Sequence, residues 1–187
     1  MVKKIAALLL AVMLLLTGCA AKQPAEEPNT DGAAPQGILS DFTTTDLDGN
    51  TVTAKDAFGG YDMTVVNIWG TFCGPCISEM PGLGELSGEL AEKNVRVVGI
   101  VIDALAMDGS LDPAIVADAQ EIVAQTGADY LHLLPSEDLY GLLAQVTSVP
   151  LTLFVDEKGA QVGMAYAGAR DKDEWAAIVD ETLAGLE

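Results

Sequence analysis

Eight residues, Trp69-Gly70-Thr71-Phe72-Cys73-Gly74-Pro75-Cys76, constrain this chain more than any others. They follow an apolar run, Met63–Ile68, that reads as a buried strand, and they precede an apolar-periodic segment that reads as a helix. Gly74 and Pro75 suit a tight entry into that helix, with Pro75 in the first turn, where no N–H is needed. The helix N-terminus then faces Cys73, and its partial positive charge favours the thiolate over the thiol. A strand, a Cys-x-x-Cys and a helix together read as a dithiol redox centre. A purely stabilising disulfide is the weaker reading, because a three-residue separation closes a tiny loop and removes little chain entropy.

The first residues do not belong to the fold. Met1-Val2-Lys3-Lys4 is a positively charged start, and Ile5–Leu16 is an unbroken apolar run of twelve residues. A membrane-spanning helix needs about 20, so this run reads as the core of an export signal. Leu16-Thr17-Gly18-Cys19 follows. It resembles the lipobox of bacterial lipoproteins, in which the cysteine is lipidated and becomes the mature N-terminus. Residues 1–18 are therefore expected to be a lipoprotein signal peptide. Residues 19–37 are a lipidated Cys19 and a disordered tether rich in Ala, Pro, Glu and Gln. As a flexible coil the tether spans roughly 25 Å. Residues 38–187 are left for one domain with a real core.

The implied location is extracytoplasmic, lipid-anchored to the bacterial cell membrane, where disulfides persist. Of the three cysteines, lipidation of Cys19 leaves one pair, Cys73 and Cys76. If that pair must be reduced to work, its electrons come from elsewhere. Removing Lys3 and Lys4 leaves 7 basic against 28 acidic residues, a formal charge of −21. Such a surface repels phosphate backbones and anionic headgroups, which excludes nucleic acid as a partner.

Along the domain, Thr-rich runs flank Asp48-Gly49-Asn50 and predict a hairpin. Ala54–Phe58 adds a helical turn. Met63–Trp69 is apolar except for Thr64 and Asn67 and predicts a central strand covered on both faces. The helix after the cysteines is expected to reach about Lys93, with Leu83, Leu86 and Leu90 on one face and a kink at Pro81. Val95–Ile102 predicts a second buried strand. Asp112-Pro113 looks like an N-cap and first-turn proline for a helix ending before Gly127. Tyr130–Leu134 reads as a short strand, and 135–146 as a further helix. Leu151–Val155 and Ala160–Tyr166 form a hairpin about Asp156–Gly159. Asp171 with Glu174 resembles a capping box for the last helix, whose apolar face carries Trp175, Ile178, Val179 and Leu183. Alternating strands and helices argue for a parallel sheet with an antiparallel edge.

This order and the residues around Cys73 resemble the TlpA/ResA-like extracytoplasmic thioredoxins, over roughly Phe42 to Leu183. The resemblance rests on Trp69–Cys76, Glu79-Met80-Pro81, Val149-Pro150 and Phe154-Val155-Asp156 with Gly159. It implies an α/β fold of thioredoxin-like type: a three-layer sandwich with a central mixed β-sheet flanked by helices and an N-terminal β-hairpin extension. It also implies a thiol–disulfide oxidoreductase that reduces protein disulfides, cytochrome c precursors being among the family's targets. The implied partners are disulfide-containing exported proteins and a membrane electron-transfer protein as donor. A monomer with no cofactor and no metal is expected.

In that frame Cys73 is the exposed attacking thiolate, and Cys76 resolves the mixed disulfide. Val149-Pro150 matches the fold's cis-proline, which faces the dithiol and leaves the Val149 backbone free to pair with an extended substrate. Glu79 lies one turn after Cys76 on the same helix side. It reads either as a proton carrier for the buried cysteine or as a surface glutamate. Asn67 stands where ordinary thioredoxins have a buried aspartate and cannot exchange protons at neutral pH. Ile77 replaces a frequent basic residue of the family. Trp69, Phe72, Gly74, Pro75 and Val149 are expected to form the substrate-docking surface, with core packing as the alternative for Trp69. His132, the only histidine, reads as a core residue.

Three other readings compete. One is an oxidant that inserts disulfides. Another is a peroxidase, disfavoured because a peroxidatic cysteine is usually single. The third is a Sco-type copper-handling lipoprotein using two thiolates and an imidazole. That family spaces its cysteines by three residues rather than two and places its histidine later.

Overall fold

The structure, a computed structural model, describes residues 37–186. The expected signal peptide, Cys19 and the expected tether, up to Gln36, lie outside the described residues. The strands are β1 (Thr43–Thr45), β2 (Thr51–Thr53), β3 (Met63–Trp69), β4 (Val95–Val101), β5 (Leu131–Leu133), β6 (Leu151–Val155) and β7 (Gln161–Ala167). The helices are α1 (Ala54–Phe58), α2 (Gly74–Leu90), α3 (Pro113–Thr126), α4 (Tyr140–Leu143) and α5 (Lys172–Ala184). Among the described residues no helix is long and apolar enough to cross a membrane.

β1 and β2 form the expected hairpin, whose turn is tied by the Asp46 carboxylate to the backbone N–H groups of Asp48 and Asn50. The other five strands make one sheet in the order β5-β4-β3-β6-β7. β3 is central, parallel to β4 and antiparallel to β6, and all seven of its residues are buried. Its near-continuous apolar sequence follows from helices and loops covering both faces.

The period-2 alternation of β3 decides which side chains meet which layer. Val66 and Ile68 face a cluster with Val52, Phe58, Leu139 and Leu142, which belongs to the hairpin, α1 and the α4 region. Met63 and Val65 face Leu83, Leu86 and Leu90 of α2 and Trp175 and Val179 of α5. Trp69, on that same side, joins Cys73, Cys76 and Met80, with Ala119 of α3. β3, β4 and β5 run parallel, so their C-terminal ends, and the start of antiparallel β6, share one rim.

Local signals placed most element ends. Thr53 and Asp56 form a capping box for α1, Asp112 caps α3 with Pro113 following, and Asp171 with Glu174 forms the expected capping box of α5. α2 runs unbroken through Pro81 to Leu90, and a 3₁₀ turn covers Ala91–Lys93. One glycine of α2 is required by contact: a Cβ on Gly84 would stand 2.4 Å from the Gly127 carbonyl oxygen at the end of α3. Nothing in the structure explains Gly88.

The helix expected over 135–146 is much shorter. Only Tyr140–Leu143 is α-helical, and bonds from the Leu139, Gln145 and Val146 N–H groups to carbonyls three residues back tighten the flanks. Gly141 lies in the middle and disfavours helix by about 1 kcal/mol relative to alanine. Leu139 and Leu142 still reach the core, so the apolar pattern was right and the helix length was not.

Candidate active site

Cys73 is the N-cap of α2, and its Sγ accepts the backbone N–H of Cys76 at 3.2 Å. The two cysteines are joined as a disulfide. Cys76, the third residue of α2, is fully buried, while Cys73 is 6 % exposed. The expected order of exposure therefore holds, but Cys73 is less open than the sequence reading supposed. Pro75 stands in the first turn, and a Cβ on Gly74 would meet nothing within 4 Å. Phe72 is 72 % exposed beside the pair. The Val149–Pro150 bond is cis, as the resemblance implies, and Val149 packs against the cluster that holds both cysteines.

Glu79 is not a surface residue. It is 4 % exposed, and its carboxylate accepts three N–H donors, from β3, from the loop after β7 and from α5. Asn67 Nδ2 donates to Oε1 at 3.0 Å, while the Arg170 backbone N–H and Trp175 Nε1 donate to Oε2 at 3.0 and 3.1 Å. Burial raises the Glu79 pKa above the ordinary carboxylate value, against the pull of those donors and the Arg170 charge. Asn67 also donates to Thr152 Oγ1 at 3.0 Å, its partner across the β3–β6 ladder. Its own Oδ1 is buried without a partner. Arg170 is fixed above this group: its guanidinium lies 5.0 Å from the ring centroids of Tyr166 and Trp175. It donates to the Gly168 carbonyl at 2.8 Å, and the Gly168 N–H donates to the Pro150 carbonyl at 2.9 Å. One short loop thus ties the cis-proline to the buried carboxylate.

Trp69 does not belong to a docking surface. It is fully buried, and its Nε1 donates to His132 Nδ1 at 3.1 Å. The parity of β3 turns it toward α3 rather than outward. His132 Nε2 in turn donates to the Ala128 carbonyl at 2.9 Å, which fixes the neutral tautomer with the proton on Nε2. Burial pushes the His132 pKa down to about 4. His132 is thus the core residue the sequence suggested. Its ring occupies the space above Gly99, where a Cβ would stand 2.2 Å from Nδ1. Gly99→Ala is therefore expected to destabilise the fold by at least about 2 kcal/mol, since the imidazole, held on both sides, has nowhere to move. The urea midpoint reads this directly.

Sequence reasoning missed three contributors. Asp103 accepts the Thr71 N–H at 3.1 Å and the Thr71 hydroxyl at 2.6 Å, clamping the loop that leads into Cys73. Its place two residues beyond the end of β4 was the only signal. Trp175 was read as an apolar-face residue, although a buried indole N–H needs an acceptor. Arg170 had no local signal at all.

The family model described as AhpC/TSA matches residues 35–174. Among curated relatives, the thiol-disulfide oxidoreductase ResA of Bacillus thuringiensis is 39 % identical over 62 residues, 33 % of this chain and 35 % of that protein. ResA of Halalkalibacterium halodurans is 24 % identical over 135 residues, 70 % of this chain and 68 % of that protein. The match thus spans about a third of the first relative's length and about two thirds of the second's. Among solved structures, a thiol:disulfide interchange protein of the thioredoxin family from Chlorobium tepidum superposes with a TM-score of 0.63 at 21 % identity, covering 81 % of this chain and 99 % of that one. The expected thioredoxin-like sandwich is the observed fold, and the chain belongs to the AhpC/TSA family.

Proposed function

We propose that this chain is an extracytoplasmic thiol–disulfide oxidoreductase, tethered to the membrane through Cys19, that reduces disulfides in exported proteins. The observation that carries this reading is the placement of Cys73. It caps α2 with its sulfur on the Cys76 N–H, next to the rim, while its bonded partner is fully buried. The helix N-terminus favours the Cys73 thiolate once the pair is reduced.

The Cys73 thiolate attacks one sulfur of the target disulfide. That bond breaks, and the released target sulfur takes up a proton. Cys76 then loses its proton and attacks Cys73 Sγ, and the second target thiolate leaves and is protonated. Two electrons and two protons have passed to the target, and Cys73–Cys76 is a disulfide again. Glu79, buried one turn beyond Cys76 on α2, is assigned here as the acceptor of the Cys76 proton. A membrane electron-transfer protein restores the dithiol, and cytochrome c precursors are candidate targets through the family resemblance. Phe72, Pro75 and Val149 border the pair as the contact surface for the target.

Copper handling is the weaker reading, because both ring nitrogens of His132 are already engaged inside the core. Insulin-disulfide reduction driven by dithiothreitol, run beside an anaerobic copper titration of the reduced protein, separates the two. Catalytic turnover without stoichiometric tight copper is expected, and the reverse pair of results overturns the proposal. Cys19→Ser is expected to move the protein from washed membranes to the soluble fraction with its dithiol chemistry unchanged.

A further inference from the structure

The rim that carries Cys73 is apolar and free of cations over much of its length. Phe72, Leu105, Met107, Leu111 and Tyr140 are all exposed, and all follow the C-terminal ends of β3, β4 or β5. Beside the redox loop, the segment between β4 and α3 and the start of α4 enclose a groove of about 330 Å³ lined by Leu105, Leu111, Pro135, Glu137 and Tyr140. It continues over Ile102 toward Leu143 as a second hollow of about 200 Å³. Ile102 N–H donates to the Trp69 carbonyl, and Asp103 clamps Thr71, so the groove begins within two or three residues of the loop that holds Cys73.

Charge says what this groove fits. No lysine or arginine occurs from Val97 to Glu157, nor from Asp56 to Glu92. Ten acidic residues lie in the first of these stretches. Asp103 is bonded to Thr71, Asp108 within its own loop and Asp112 to the start of α3, but the Glu137 carboxylate at the groove has no ion-pair partner among the described residues. Arg170 and Lys172 stand past β7, at the opposite edge of the sheet.

We propose that this groove selects the disulfide-bearing target, receiving an extended segment that carries a bulky apolar side chain next to a lysine or arginine. The apolar side chain fills the space between Leu105, Leu111 and Tyr140, and the cation meets Glu137. This rests on the thiol–disulfide reading above and adds the class of polypeptide it acts on. Groove contacts lie away from the sulfurs, so they raise affinity for the target without altering the exchange chemistry.

The test uses two disulfide-linked peptides, one with Phe and Lys beside the cysteine and one with Phe and Glu, together with a small disulfide, oxidised glutathione. For the reduced wild-type protein, kcat/KM is expected to be about tenfold higher for the Lys peptide than for the Glu peptide. Tyr140→Ser is expected to lower it about tenfold for the Lys peptide while leaving glutathione unchanged. Glu137→Lys, an exposed change that does not touch the core, is expected to invert the preference between the peptides. Equal rates for both peptides, or a Tyr140→Ser loss shared by glutathione, overturns the groove proposal. So does a dimer seen by light scattering that Tyr140→Ser dissolves, which would assign the groove to a second copy of the chain. A wild-type protein inert toward all three disulfides overturns the oxidoreductase reading itself and the groove with it.

Discussion

Cys76→Ser is expected to accumulate mixed disulfides with target proteins, and Cys73→Ser is expected to accumulate none. The asymmetry is geometric. Cys73 is the N-cap residue with some access to solvent, whereas Cys76 is fully buried inside the first turn. An incoming disulfide therefore reaches only Cys73. Without Cys76 the adduct has no second thiol among the described residues to resolve it. Non-reducing gels and mass spectrometry of the two single mutants read the difference, expected to be all-or-none. Equal trapping by both mutants would mean that the fold does not separate the roles of the two sulfurs.

Glu79→Gln is expected to slow the second half of the exchange and to remove a pH dependence of stability. A group that moves a proton in the reacting step typically contributes about a hundredfold or more. In a single-turnover quench, release of the reduced target is expected to slow by about that factor, with the first attack by Cys73 unchanged. Glutamine can keep two of the three hydrogen bonds and reverse the third. Its oxygen accepts from Arg170 and Trp175, and its amide faces Asn67, whose unpartnered Oδ1 can turn to accept it. A merely structural Glu79 would therefore leave both steps untouched.

The stability effect has a definite sign. Burial raises the Glu79 pKa above the ordinary 4.5, so in the pH range just above that value the native state holds a proton the unfolded chain has lost. That contribution is fully present below about 4.5 and is lost as pH rises through the folded value. Glu79→Gln lacks it, so the mutant's stability relative to wild type grows across that window and then levels off. His132, lowered to about 4, contributes an opposite slope below its ordinary 6.5. Both proteins share that slope, and it cancels in the difference. Urea unfolding of both proteins across this pH range is the measurement.

What the sequence made legible was local. The apolar run of β3, the Cys-x-x-Cys at a helix start, the Asp48-Gly49-Asn50 turn and the caps at Asp112 and Asp171 are all decided within a few residues, and all stand in the structure. The surroundings of Glu79 were not legible. Its partners lie 12, 91 and 96 residues away in sequence, and only the packing of α2 and α5 on β3 brings them together. Trp69 shows the cost of reading a motif without strand parity. Val65, Asn67 and Trp69 alternate onto the helix-covered face, so a tryptophan two residues beyond Asn67 points inward. The α4 region erred differently, since its apolar residues face the core without a continuous helix to carry them.

Reduction of target disulfides requires the Cys73–Cys76 couple to act as a reductant. No cation lies between Asp56 and Glu92, Ile77 supplies none beside Cys76, and the chain as a whole is strongly acidic. All of this stabilises a Cys73 thiolate less than a basic site would, and a less stabilised reduced state makes a couple more reducing. Equilibrating the protein in dithiothreitol buffers of graded ratio measures the two-electron midpoint. A value more negative than about −180 mV, the potential of protein disulfide isomerase, is the expected result. A midpoint above that value, together with oxidation of a reduced unfolded protein by the stoichiometric disulfide form, would contradict the account and make this chain an oxidant.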